Sequence, residues 1–304
     1  MRRTLGVVGL RRAWDGSERE TLPARRDLVA AAFAEFVATA LFIFFGCGAA
    51  ARNYAVREDL TTAAKETWDP AAVLLIAFSF GLSITALVFS VAHISGGHLN
   101  AAVTLSLTLV GKCHPVRALA YVCAQLLGAI TGAGLLKGVT SGDKDGIRAL
   151  DRTSNLGSNA IFDPQSVTEL NALLVEAVGT FALVFVVLNT AIDVSALTTN
   201  GNGRRRSNKM TLAPIPIGFA VFIAHLVCIP LTGCSINPSR SFGPAVVSGF
   251  WSDHWIWWAG PLIGAFFASL VWGVLQYLRE WADEEDDNTA EDKAEDKAKD
   301  KAAV

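Results

Sequence analysis

Two polar patches constrain this chain more than anything else in it, because each lies between apolar blocks long enough to cross a bilayer. The first reads Ser95-Gly96-Gly97-His98-Leu99-Asn100-Ala101-Ala102-Val103-Thr104, the second Thr232-Gly233-Cys234-Ser235-Ile236-Asn237-Pro238-Ser239-Arg240-Ser241. They are near-copies, one in each half of the chain. A Gly-rich break followed by an Asn at a helix start, occurring twice, implies a duplicated, two-sided pore rather than a membrane anchor.

The apolar blocks lie near Leu28–Gly48, Ala71–Ala92, Pro115–Gly138, Leu170–Thr190, Pro214–Leu231 and Trp255–Tyr277. Each suits a hydrocarbon core of roughly 30 Å. With 52% of its 304 residues hydrophobic, the chain is too apolar for an ordinary soluble domain. One such block alone reads equally well as a buried helix of a soluble protein. Six in succession, with short polar connections, predict an all-α membrane protein of six spans.

The second half repeats the first. Ala34-Glu35-Phe36-Val37-Ala38-Thr39 matches Val175-Glu176-Ala177-Val178-Gly179-Thr180, and the Asn patches follow at nearly equal distance. Three spans per half invert the second copy relative to the first. Three segments follow: a basic arm over 1–27, a membrane domain over 28–280 with repeats near 28–140 and 168–280, and a charged tail over 281–304. The tail cannot bury a core and reads as disordered or transiently helical.

Net charge is −2, which excludes a general polyanion binder such as a nucleic-acid protein. The positive charge is local: Arg2, Arg3, Arg11, Arg12, Arg19, Arg25 and Arg26 in the arm, and Arg204, Arg205, Arg206 and Lys209 after the fourth span. An even number of spans puts both termini and that loop on one side, and the positive-inside rule makes it cytoplasmic. Cys47, Cys113, Cys123, Cys228 and Cys234 are odd in number and not closely paired, so no disulfide framework is expected. The N-terminus lacks a short apolar core with a cleavage site, so no cleaved signal is expected.

After Asn100 the run Ala101–Leu109 is apolar but too short to span, and the same holds after Asn237. Each reads as a half-helix that stops near the membrane midplane, where irregular backbone is tolerated only if buried or lining a cavity. Asn100 and Asn237 become N-caps whose amides can also donate to a passing solute. Two positive helix ends meeting at mid-depth repel a hydronium or a metal cation. Glu35 and Glu176 are expensive in hydrocarbon and should face inward as acceptors for the non-helical backbone; a proton relay is the alternative. Gly128, Gly132, Gly134, Gly260 and Gly264 read as close helix-packing positions. No catalytic constellation or metal-ligand spacing appears around His93, His98 or His114, so neither an enzyme nor a cofactor is expected.

Repeat, topology and paired motifs together resemble the major intrinsic protein family, the aquaporins, from roughly Phe33 to Tyr277. The stretches His93–Asn100 and Leu212–Phe222 resemble the plant plasma-membrane intrinsic proteins in particular. The resemblance implies six helices plus two half-helices, a homotetramer with one pore per subunit in the lipid bilayer, and water as the permeant. It places a selectivity filter at Phe80, His225, Cys234 and Arg240. Phe80 and His225 would narrow the pore to about one water, and Arg240 would repel cations. Glycerol facilitators carry a small residue where His225 stands and an Asp where Ser241 stands. Ala245, Trp257 and Trp258 also resemble the water-channel pattern, although the Trp residues near 251–258 read most simply as an interfacial aromatic belt.

The family's Asn-Pro-Ala appears here as Asn100-Ala101-Ala102 and Asn237-Pro238-Ser239. Ala101 forgoes the preset φ of Pro, so the first half-helix should persist with Asn100 slightly looser. The plant relatives sense acid through a loop His, and that position is Asn208; their regulatory Ser falls at about His114. Acid gating through that His and phosphorylation at that Ser are therefore not expected, and Ser207 reads as an unmodified loop residue. The leading expectation is a water-selective channel in the plasma membrane. The alternatives are a broader channel for glycerol, urea, hydrogen peroxide or carbon dioxide, and a junctional membrane protein with little transport.

Overall fold

A computed structural model describes residues 20–59, 68–140, 155–162, 164–192, 198–199, 205–206 and 212–302. The arm before Glu20, and with it Arg2 to Arg19, lies outside those residues, as do Arg204, Ser207, Asn208 and Lys209. In chain order the helices are α1 Arg25–Asp59, α2 Pro70–Ser95, α3 Ala101–Leu109, α4 Pro115–Thr140, α5 Glu169–Val187, α6 Pro214–Thr232, α7 Pro238–Ser248 and α8 Ile256–Ala302. Six of them are long and apolar enough to cross a membrane, with stretches of 19 to 29 residues at mean hydropathies of 1.7 to 2.4. Each falls on one of the six apolar blocks, and α3 and α7 are the two short helices after the Asn motifs. The protein is a multi-pass membrane protein by this count.

Two features go beyond the sequence reading. A two-residue antiparallel ladder pairs β1 Thr198–Thr199 with β2 Arg205–Arg206 in the basic loop after α5, a small exception to the all-α class. The charged tail, read as disordered or transiently helical, continues the helical backbone of α8 to Ala302. The membrane part of α8 supplies a helix nucleus, and the Ala, Glu and Lys of the tail extend it readily.

The repeat governs packing. α1 lies mainly against α4, and its copy α5 against α8; α2 crosses its own copy α6. Each half-helix packs on a span of the opposite half, α3 on α8 and α7 on α4, so neither half closes alone. Close approach depends on glycine at repeat-related places. A Cβ at Gly128 would sit 2.4 Å from the Phe36 carbonyl oxygen, and one at Gly264 would sit 2.2 Å from that of Ala177. Phe33, Val37, Leu127 and Val178 face outward, as a lipid-exposed or subunit-facing surface requires.

Candidate functional site

The two re-entrant segments are built alike, atom for atom. α2 ends at Gly96 with φ 89° and α6 at Gly233 with φ 74°, each a left-handed cap that turns the chain back into the bundle. The next residues, Gly97 and Cys234, also take positive φ, 67° and 57°, as do Leu99 and Ile236 at 50° and 42°. Cys234 thus holds a side chain in a backbone state that its counterpart fills with glycine, the kind of local strain that persists where surroundings over-determine it.

A buried carboxylate holds each segment. Glu35 Oε1 accepts from Ser95 Oγ at 2.6 Å and the His98 amide at 2.9 Å. Its Oε2 accepts from the Leu99 amide at 2.7 Å and Gln125 Nε2 at 2.9 Å. Glu176 Oε1 accepts from Thr232 Oγ1 at 2.5 Å and the Ser235 amide at 2.8 Å, while Oε2 accepts from the Ile236 amide at 2.7 Å. Both acids are 0% exposed, and every bond named here serves the non-helical backbone or its neighbours.

These bonds deliver the two asparagines to one point. Asn100 Oδ1 accepts from the Ala102 amide at 2.8 Å, and Asn237 Oδ1 accepts from the amides of Ser239 at 3.0 Å and Arg240 at 3.3 Å. Each amide nitrogen then crosses to the other motif: Asn100 Nδ2 donates to the Ile236 carbonyl at 2.9 Å, and Asn237 Nδ2 to the Leu99 carbonyl at 2.8 Å. The half-helix after Ala101 persists as expected. Asn100 is held across the centre as closely as Asn237, because this cross-bond and Glu35 fix it without the Pro. Ser239 adds a contact of its own, donating to Gln125 Oε1 at 3.3 Å. Gln125 thereby links the second half-helix to the Glu35 network of the first.

A cavity of about 340 Å³ lies within the bundle, lined by residues of both repeats. It begins beside Glu20, Lys112 and Arg117, passes Val88, Val103, Val187 and Ile217, and reaches Asn100, Asn237 and His225. Glu20 is anchored at its mouth, pairing with Arg117 Nε at 2.6 Å and accepting the His114 amide at 2.6 Å. Cys113 also lines that mouth, its thiol pushed up to about 11 mainly by burial. His114 caps α4 by accepting the Val116 amide at Nδ1.

Beyond His225 lies a tight cluster. Phe80 stacks on His225 with ring centroids 4.3 Å apart, and the Arg240 guanidinium carbon lies 5.0 Å from the Phe80 centroid. His225 Nδ1 faces the Val221 carbonyl at 2.8 Å, and its Nε2 is buried with no protein partner. Arg240 Nη1 donates to the Gly157 carbonyl at 2.9 Å and Asn159 Oδ1 at 2.8 Å, and Nη2 to the Gly233 carbonyl at 3.3 Å; Nε is buried and unpartnered. Of the four expected filter residues, Phe80 therefore contacts both His225 and Arg240. Cys234 is fully buried on the re-entrant backbone and, like Phe80 and Arg240, does not line the cavity.

Sequence reasoning missed Gly157, Asn159, Gln125 and Glu20. Asn159 accepts from Arg240 and from Ser241 Oγ at 2.7 Å, and it donates to the Thr232 carbonyl at 2.9 Å. Nothing in its local sequence marks it, since its partners lie more than seventy residues away. Ala245 and Trp257 are buried core, whereas Trp251 and Trp255 are exposed as a belt would be. Among the described residues no group of three or more His, Cys, Asp or Glu side chains could hold a metal ion.

Comparison with known proteins gives one family model, Major intrinsic protein, matching residues 24–272. Aquaporin-1 of Bos taurus is 40% identical over 243 residues, 80% of each chain. Aquaporin PIP2-1 of Arabidopsis thaliana is 42% identical over 258 residues, 84% of this chain and 82% of that protein. Human Aquaporin-2 is 42% identical over 251 residues, 81% of this chain and 79% of that protein. Among solved structures, the aquaglyceroporin from Plasmodium falciparum shares the fold with a TM-score of 0.62 at 21% identity, covering 81% of this chain and 96% of that one.

Proposed function

The chain belongs to the major intrinsic protein family, and from that premise we propose that it is a passive, water-selective channel that excludes protons and ions. One observation carries the reading. At the tight cluster beyond the cavity, His225 Nε2 and Arg240 Nε are buried polar atoms without a protein partner. Buried groups of that kind are normally satisfied, so the cluster is suited to a small polar permeant that supplies the missing bonds. In this reading water passes beside Phe80 and His225 and a three-carbon polyol is excluded. The Arg240 charge and the two half-helix N-termini oppose cations along the same path.

In this reading Phe80, His225, Cys234 and Arg240 form the filter, Asn100 and Asn237 orient the water file, and Glu35 and Glu176 are structural. The pore domain spans 28–280, the assembly is a homotetramer in the plasma membrane, and both termini are cytoplasmic. No chemistry on the permeant is required.

Stopped-flow shrinkage of liposomes holding the purified protein, with water and glycerol measured side by side, tests this. Fast water flux of low activation energy with slow glycerol entry is the expected result. Fast entry of both would replace it with a broader small-solute channel. Water flux no faster than that of bare lipid, from correctly assembled protein, would overturn the channel reading and leave a junctional role.

A further inference from the structure

Phe80 is fully buried, and its ring rests on α1 at Gly46. A Cβ built on Gly46 would lie 2.4 Å from Phe80 Cε1, 2.5 Å from Cδ1 and 3.0 Å from Cζ. Carbons in ordinary contact sit about 3.5–4.0 Å apart, so no side chain fits there while the ring stays where it is. Phe42 meets the ring edge-on at 5.5 Å between centroids, His225 stacks at 4.3 Å and the Arg240 guanidinium lies at 5.0 Å.

We propose that Gly46 is a specificity-determining residue: its missing side chain forms the notch into which the Phe80 ring recedes, and that recession sets the bore beside His225 and Arg240. The inference rests on the channel reading above and adds to it a residue that touches no permeant.

Two observations separate this role from ordinary helix packing. Gly128 and Gly264 meet neighbouring backbone first, at the carbonyls of Phe36 and Ala177, and Gly48 and Gly179 meet aliphatic or thiol side chains of the core, whereas all three atoms nearest Gly46 belong to the Phe80 ring. The internal repeat supplies the second. The offset that pairs Glu35 with Glu176 also pairs Gly46 with Val187, and the offset that pairs Asn100 with Asn237 pairs Phe80 with Ile217. Val187 and Ile217 both line the open cavity. Where the repeat carries an aliphatic side chain on each helix, the cavity is open. Where α2 contributes an aromatic ring, α1 contributes none.

The test compares wild type, Gly46→Ala, Phe80→Leu and the double variant in proteoliposomes, with water and glycerol permeability and oligomer yield measured for each. Gly46→Ala displaces the ring within its cluster with His225 and Arg240, and water permeability should fall about tenfold, the change that about 1.4 kcal/mol on a barrier produces. Leucine at position 80 leaves room for the new methyl group. The double variant should therefore match Phe80→Leu within about twofold, the scatter of such cycles, so that the loss seen in the wild-type background disappears. An equal loss from Gly46→Ala in both backgrounds, or none in either, overturns the inference. If Gly46→Ala fails to assemble, wild-type yield of the double variant sustains the pairing and its failure overturns it. A conducting wild type with an indifferent Gly46→Ala sinks this inference alone; a wild type no more permeable than bare lipid removes the channel reading and this inference with it.

Discussion

Arg240 is a cation only 1% exposed, and the oxygens that hold its guanidinium are neutral: the carbonyls of Gly157 and Gly233 and the side chain of Asn159. Charge-assisted bonds of this kind are worth about 1.5–3 kcal/mol each when buried. Asn159→Ala removes one of them, together with the bonds of Asn159 to Ser241 Oγ and to the Thr232 carbonyl. The expected outcome is a lower unfolding midpoint of the purified protein, together with a raised ratio of glycerol to water permeability as the guanidinium loosens. An unchanged ratio would show that the two backbone carbonyls fix Arg240 unaided. His225 and Arg240 could be picked out through the family resemblance, from their places relative to the second Asn motif. Asn159 could not, because a lone Asn in a connecting segment announces nothing until folding brings it to its partners.

The re-entrant segments behave as elements held by a single acid each. Glu176 satisfies the Thr232 hydroxyl and the amides of Ser235 and Ile236. Glu176→Gln places an NH₂ group against donors, and each donor left unpaired costs about 1–3 kcal/mol. Thermal unfolding should move down markedly, and water flux should fall with it because Asn237 follows directly after this backbone. A variant of full stability with altered proton leak, measured with a pH dye in liposomes, would point instead to proton relay. The inward placement of both acids was legible from hydrocarbon energetics alone. Their partners were legible only in outline, as nearby backbone, since the sequence does not say which amides a turn will leave open. The persistence of α3 without Pro at its first position has the same origin: Glu35 and the cross-bond from Asn100 to Ile236 do what the ring would have done locally.

At the scale of the molecule the pore exists only as the meeting of two halves. Asn100 needs the Ile236 carbonyl, Asn237 needs the Leu99 carbonyl, and each half-helix packs on a span of the other half. Chains cut between Thr140 and Asn155 should therefore conduct nothing when either half is expressed alone and recover water flux when both are co-expressed, read by the same stopped-flow assay. Flux from one half alone would contradict the shared centre. The sequence by itself determined the six spans, the inverted repeat, the two half-helices and the motif asparagines, because hydrophobic length and repetition are properties of the chain in order. Only the tertiary structure decided how tightly Phe80, His225 and Arg240 close on one another. It alone also decided that Asn159 and Gln125 belong to the site, that Cys234 is enclosed, and that Gly46 backs the Phe80 ring. Those are contacts between distant helices, fixed by how closely backbones approach, and no local pattern in the chain records that distance.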